Sequence, residues 1–306
     1  MSMKVLWRFA GILIAIASGG YFISYASSHV VAFPESIWDL ENILLLGVSV
    51  LLWCANIILG ALIWRRILRG IGFKLEVAQC LEIYALTQFG KYLPGNVAHH
   101  IGRVVLAKQA GITVRATTHS MLIEFLWGIG AASSMALLGL VYFNAGDNGI
   151  STITLVLLMI FTMLLPWLGV WLANTFFPVI AERLSGSGKI ILPSLRTMLW
   201  CNLAFVGSFL IMGLILDLQA KFIFDVADSH LLMLVGAFAL SWIAGYIMPG
   251  APAGLGVREV VLVSFLSPVL GGSTAVGLSL ALRLATTLGD GVCFLFALAM
   301  LRLKPN

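Results

Sequence analysis

Gly245-Tyr246-Ile247-Met248-Pro249-Gly250-Ala251-Pro252-Ala253-Gly254-Leu255-Gly256-Val257-Arg258-Glu259 is a proline- and glycine-rich break between two strongly apolar runs, with a charged pair at its end. Proline in a helix interior removes a backbone hydrogen bond, and an unpaired amide or carbonyl in lipid is costly, so broken backbone is expected only inside protein or beside a watery cavity. The break occurs twice. A shift of 155 residues lays Gly90, Pro94, Gly95, Ala98 and Arg103 onto Gly245, Pro249, Gly250, Ala253 and Arg258, so that G-x3-P-G-x7-R is repeated.

Composition sets the medium. Of 306 residues 60% are hydrophobic and only 10% charged, far from a soluble domain, which implies an all-α polytopic membrane protein. The net charge of +5 is read as sidedness in a membrane protein, and nothing points to nucleic acid. Cys54, Cys80, Cys201 and Cys293 lie in apolar runs without metal spacing and are read as small core residues.

Outward from the breaks, apolar runs at 5–27, 41–64, 117–143, 150–177, 197–217 and 274–300 are expected to be six full transmembrane helices. The Trp64-Arg65-Arg66 cluster is expected on the cytoplasmic side, and Trp7, Trp38, Trp64, Trp167 and Trp171 read as interfacial anchors. From Val77 to Tyr92, ahead of Pro94, there is only about 24 Å of helix, too short for a hydrocarbon core of about 30 Å. Residues 77–110 and 230–270 are therefore expected to be hairpins, broken at Pro94-Gly95 and Pro249-Gly250, with Gly254 and Gly256 extending the second break. With the loop after 217 outside, thirteen Lys or Arg lie in cytoplasmic segments against Lys221 alone outside. That asymmetry favours cytoplasmic N- and C-termini.

The same shift maps whole segments onto one another, giving one membrane domain over 1–306 made of two repeats, 1–145 and 146–306. Each half holds three crossings and a hairpin, an odd number of crossings, so the second half is expected to be inverted. Inverted repeats with paired broken helices point to a transporter whose site lies at the repeat interface.

Glu82, Lys91, His99, His100, Arg103, Glu124, Arg258, Glu259, Arg283 and Asp290 fall within membrane segments. A central charge costs about 2.5 to 3.5 kcal/mol even on the gentler scale, so the set implies pairing or a hydrated cavity. Arg103 and Arg258 follow the two breaks, where half-helix N-termini attract anions and a guanidinium can grip phosphate with two hydrogen bonds. Glu124 is the available carboxylate for one of these arginines. Arg283 and Asp290, seven apart, share a helix face with Thr286 and Thr287 nearby. Adjacent His99 and His100 point about 100° apart and do not form a metal pair, so they are read as polar cavity-lining or proton-coupling groups, and no metal or cofactor is expected. Gly254-Leu255-Gly256 lacks the preceding strand of a nucleotide loop.

Pro249-Gly250 with Gly254-Leu255-Gly256-Val257-Arg258-Glu259 is similar to the P-G-G-x-G-x-R-E signature of the lysylphosphatidylglycerol synthase transmembrane-region family. Gly90-Lys91-Tyr92-Leu93-Pro94-Gly95 with Gly102-Arg103 resembles its first hairpin, Glu124 stands where its helix carries a glutamate, and Arg283 matches its late arginine. The resemblance covers nearly the whole chain and implies a flippase-like membrane domain, which in that family moves aminoacylated phospholipid between leaflets. Two departures stand out. Ala251-Pro252-Ala253 interrupts the usual double glycine, and Phe125 follows Glu124 where the family commonly has Arg. The soluble aminoacyl-transferring domain is not expected, so the synthase activity is not carried over.

The expected function is translocation of a phosphate-bearing lipid, a phospholipid or a polyprenyl-phosphate-linked sugar, in the bacterial inner membrane. Competing readings are a lipid-linked transferase using Glu82, Glu124 or His99 as base, and a non-transporting partner of envelope-biosynthesis enzymes. The sequence leaves the oligomeric state open.

Overall fold

In a bilayer the backbone must satisfy its own hydrogen bonds, and the computed structural model does so with helices alone among the residues it describes, 39–92, 97–144, 151–185, 189–227, 230–248 and 252–302. In chain order these are α1 (Leu40–Gly70), α2 (Val77–Gln88), a 3-10 turn (Phe89–Tyr92), α3 (Ala98–Gln109) and α4 (Val114–Asn144). There follow α5 (Thr152–Phe176), α6 (Pro178–Ser185), α7 (Leu195–Ile223), α8 (Leu231–Ile247), a second 3-10 turn (Pro252–Gly254), α9 (Val257–Leu270) and α10 (Gly272–Arg302). Five of them, α1, α4, α5, α7 and α10, are long and apolar enough to cross a membrane. The sixth expected span, at 5–27, lies outside the described residues, as do the break residues Pro94, Gly95, Pro249 and Gly250.

Each expected hairpin region holds a pair of short helices. In the first, the described helix runs to Tyr92 and the next begins at Ala98; in the second, α8 ends at Ile247 and, after the Pro252–Gly254 turn, α9 begins at Val257. The starts of α1 and α7, α2 and α8, α3 and α9, and α4 and α10 lie 155, 154, 159 and 158 residues apart.

Polar and small residues fix how the helices meet. Ser208 Oγ donates to Asn56 Oδ1 at 2.6 Å, and Gln219 Nε2 approaches Ser49 Oγ at 3.4 Å. With Arg66 5.8 Å from the Trp200 ring, these contacts run α1 and α7 antiparallel. At the end of α1, Gly70 meets Pro193, just before α7 begins; at the other end of α7, the Phe224 ring covers Gly277 of α10. Buried Leu75, Ala107 and Ile112, from the two mouths of the first hairpin, share one cluster with Leu68 of α1. α4 crosses α8 backbone to backbone: a Cβ on Gly139 would lie 2.6 Å from Gly236 Cα.

The outer surface is apolar. Ile153, Leu157, Phe161, Leu164 and Trp171 of α5 are each more than half exposed, the arrangement expected of a lipid-facing helix.

Two expectations are corrected. The span expected to end at 217 continues as α7 to Ile223, because Lys221 Nζ reaches Asp217 Oδ2 at 2.9 Å one turn on and Gln219 is buried beside Ser49. Trp64 is not an interfacial anchor. It is fully buried, with its indole N–H donated to Ser120 Oγ at 2.9 Å.

Candidate functional site

Charged side chains cannot be left alone inside an apolar bundle, and the structure gathers most of the predicted ones around a cavity of about 200 Å³ between the two hairpins. Lys91, Arg103, Glu124 and Arg258 line it. A smaller space of about 40 Å³ shares Trp53, Lys91, Phe238 and Arg258 with the first and is lined also by Glu259 and Arg283.

Three ion pairs organise these walls. Arg103 of α3 reaches Glu124 of α4 at 2.6 Å, and its guanidinium carbon lies 4.3 Å from the Tyr84 ring centroid and 5.3 Å from that of Trp64. The Tyr84 hydroxyl donates to the other Glu124 oxygen at 3.3 Å. Lys91, in the turn that ends the first arm, reaches Asp290 of α10 at 2.7 Å. Asp290 is fully buried and also accepts from Tyr92 Oη at 2.6 Å and Trp53 Nε1 at 3.0 Å. Arg283, seven residues before Asp290, turns instead to Glu259 of α9 at 2.6 Å. Each carboxylate thus has a cation and further donors, the condition under which buried charge is tolerable.

Arg258 differs. It is the second residue of α9, and its guanidinium carbon lies 5.4 Å from the Phe238 ring, with no carboxylate at ion-pair distance among the described residues. Its stem passes over two glycines, such that a Cβ on Gly254 would fall 2.6 Å from Arg258 Cδ, while one on Gly245 would strike Arg258 Cγ. The turn that delivers it is left-handed at Ala253 (φ 50°), Gly254 (φ 70°) and Gly256 (φ 82°), which glycine takes without cost and alanine does not.

The expected equivalence of Arg103 and Arg258 does not extend to their places on the half-helices. α3 restarts at Ala98, so Arg103 is its sixth residue, beyond the first turn, whereas Arg258 stands in the first turn of α9. The α9 N-terminus is also partly satisfied from within, because the Gly256 N–H donates to Glu259 Oε2 at 2.7 Å. Glu82 is half-buried and is not brought to the cavity. It precedes Tyr84 by two residues, about 200° around the helix, so only one of the two can face inward.

His99 and His100 line the cavity with ring centroids 3.8 Å apart, and His100 Nε2 lies 3.4 Å from Tyr246 Oη. Among the described residues no three His, Cys, Asp or Glu side chains cluster as metal ligands. Sequence reasoning missed Tyr84, the Asn56–Ser208 pair, Gln88, and the stack in which Tyr246 lies 5.2 Å from Phe125 and 4.9 Å from Trp242. Asn56 alone left a signal, as an amide inside an otherwise apolar span.

A bundle of lipid-length apolar helices enclosing ion-paired charges defines a multi-pass integral membrane protein. Residues 8–291 match the lysylphosphatidylglycerol synthase TM region, and the chain belongs to that family. The family places it among membrane proteins of lipid metabolism or transport. Comparison with curated proteins gave no match.

Proposed function

We propose that the protein translocates a phosphate-bearing lipid between leaflets, with the head group held in the cavity between the hairpins and the chains left in the surrounding lipid. The observation that carries this reading is Arg258, a cavity-lining cation without an ion-pair partner among the described residues, where Lys91 and Arg103 of the same wall and Arg283 of the adjoining space are all paired. An unpaired guanidinium at membrane depth is expensive, and an arriving phosphate offers it two charge-assisted hydrogen bonds. Pairing of Glu124 with Arg103 and Tyr84 favours transport over head-group transfer, since a carboxylate so engaged is poorly placed as a general base.

Movement is taken to involve two inverted halves, 1–145 and 146–306, each with a re-entrant hairpin. Support comes from the recurrence of helix starts and from the antiparallel run of α1 against α7, the helices the repeat equates. The first hairpin's mouths lie beside Leu68, near the end where Gly70 meets Pro193, and the second follows the end of α7 where Phe224 meets α10. The membrane is taken to be a bacterial inner membrane, and the distribution of Lys and Arg favours both termini on its cytoplasmic side.

The test is a leaflet-resolved assay in proteoliposomes with acyl-labelled phosphatidylglycerol. Wild type is expected to accelerate exchange, Arg258→Lys to slow it because charge without the planar fork grips phosphate less well, and Arg258→Gln to abolish it. Exchange at the wild-type rate by well-folded Arg258→Gln would overturn the proposal.

A further inference from the structure

We infer that the cavity selects a head group of net charge minus one whose substituent is neutral and hydroxyl-bearing, a polyol or sugar joined through a phosphodiester. The inference rests on the lipid-binding part of the function proposed above and adds the class of lipid. Lys91, Arg103, Arg258 and Arg283 supply four positive charges to the two adjoining spaces, Glu124 and Glu259 supply two negative ones, and Asp290, buried against Lys91, a third, each carboxylate within 2.7 Å of its cation. Counting the histidines as neutral, the described residues of the walls carry one unmatched positive charge, at Arg258. The break segments 93–96 and 249–251 contain no ionisable side chain.

One phosphodiester neutralises that charge. A pyrophosphate would bring a further negative charge with no cation free to meet it. An amine-bearing head group would bring an ammonium into a wall whose carboxylates are already engaged, Glu124 by Arg103 and Tyr84, and Asp290 by Lys91, Tyr92 and Trp53.

The larger space beyond Arg258 is furnished for neutral hydrogen bonding. Asn56, Gln88 and Ser208 line it, and the Nδ1 atoms of His99 and His100 are buried without a hydrogen-bond partner among the described residues. Buried polar atoms ordinarily find partners, and hydroxyl groups, which both donate and accept, suit a mixed set of amide, hydroxyl and imidazole groups. Tyr246, stacked against Phe125 at 5.2 Å and Trp242 at 4.9 Å, adds its ring edge and its hydroxyl to the same wall.

The phosphodiester can come from a glycerophospholipid or from a polyprenyl phosphate, so the test offers both. The full chain in detergent is presented with phosphatidylglycerol, phosphatidylethanolamine, a polyprenyl monophosphate hexose and a polyprenyl pyrophosphate hexose, and binding is ranked by native mass spectrometry. At least one of the two monoanions should exceed both the zwitterion and the pyrophosphate by about tenfold or more, the lower range for a hydrogen bond to a charged group. Whichever monoanion is tighter identifies the source. Arg258→Gln should erase the preference over phosphatidylethanolamine. Glu124→Gln, which frees Arg103, should move the preference toward the pyrophosphate. Equal binding of all four lipids, a ranking unchanged in both variants, or no binding at all would overturn the inference. Leaflet exchange measured alongside separates the two ideas. The expected ranking without exchange removes the translocase reading and leaves the binding class standing, and exchange without the ranking removes the binding class alone.

Discussion

Arg103 Nη1 donates to Glu124 Oε2 at 2.6 Å, tying the second arm of the first hairpin to α4 with both side chains largely out of solvent. Removing one member of such a pair strands a buried charge and costs about 3 to 5 kcal/mol, whereas replacing both by well-packed apolar groups can be neutral. Glu124→Ala should therefore lose that amount in denaturant titration of the detergent-solubilised protein, and the double variant Arg103→Met, Glu124→Leu should recover most of it. Equal losses in the single and double variants would show that packing, not charge compensation, sets the cost.

Two glycines mark close approaches of different kinds. In Gly245→Ala the new methyl meets Arg258 Cγ, near the root of that side chain, with Gly254 Cα 3.3 Å away, so the cation is displaced: lipid exchange should fall steeply, with overpacking of about 1 to 3 kcal/mol. In Gly139→Ala it meets the backbone of Gly236, far from the cavity, and a similar overpacking cost is expected with the exchange of the folded protein largely kept. Thermal unfolding beside exchange rates checks both, and wild-type exchange by Gly245→Ala, or an unchanged unfolding midpoint in Gly139→Ala, would contradict the assigned contacts.

Ala253 sits at φ 50°, ψ 23°, where an L-residue with a Cβ is disfavoured by roughly 1 to 2 kcal/mol. Glycine fits that conformation but loses more entropy on folding, so Ala253→Gly should stabilise by somewhat less, about 1 kcal/mol. An unchanged or lowered unfolding midpoint would argue that the turn is not left-handed there.

Topology is open to labelling. Single cysteines at Lys74 and Lys108 on a cysteine-free background should react with an impermeant reagent from one side of sealed vesicles, and cysteines at Asp225 and Gly272 from the other. Lys74 and Lys108 flank the first hairpin, whose mouths share a cluster with Leu68. Opposite accessibility within either pair would exclude re-entrant hairpins.

The breaks and the charges were legible because both are costly in lipid: G-x3-P-G-x7-R and ten ionisable residues in apolar runs need a reason to exist. The pairing was less legible. Lys91 meets Asp290 across 199 residues of sequence, and periodicity cannot name a partner on another helix. Arg283 and Asp290 share a face, as expected, yet each serves a different hairpin. Trp64 looked like an anchor because it adjoins Arg65 and Arg66, but α1 runs on to Gly70 and carries it into the core. Asp217 looked like a loop residue because Lys221, which offsets its charge, comes a turn later. Tyr84 gave no warning, since a tyrosine in an apolar run has no single meaning until Arg103 lies over its ring.

Asp290 and Arg283 stand two turns apart on α10, about 10.5 Å along one rigid rod, the first fastened to Lys91 and the second to Glu259. One helix therefore holds a leash to each hairpin. A turn of α10 about its axis would slacken both at once, and a pull on either hairpin would load the other through it. Asp290→Asn and Glu259→Gln should accordingly be non-additive in their effect on exchange rate, with a coupling of about 0.5 kcal/mol or more in a double-mutant cycle, whereas independently moving hairpins would give simple addition.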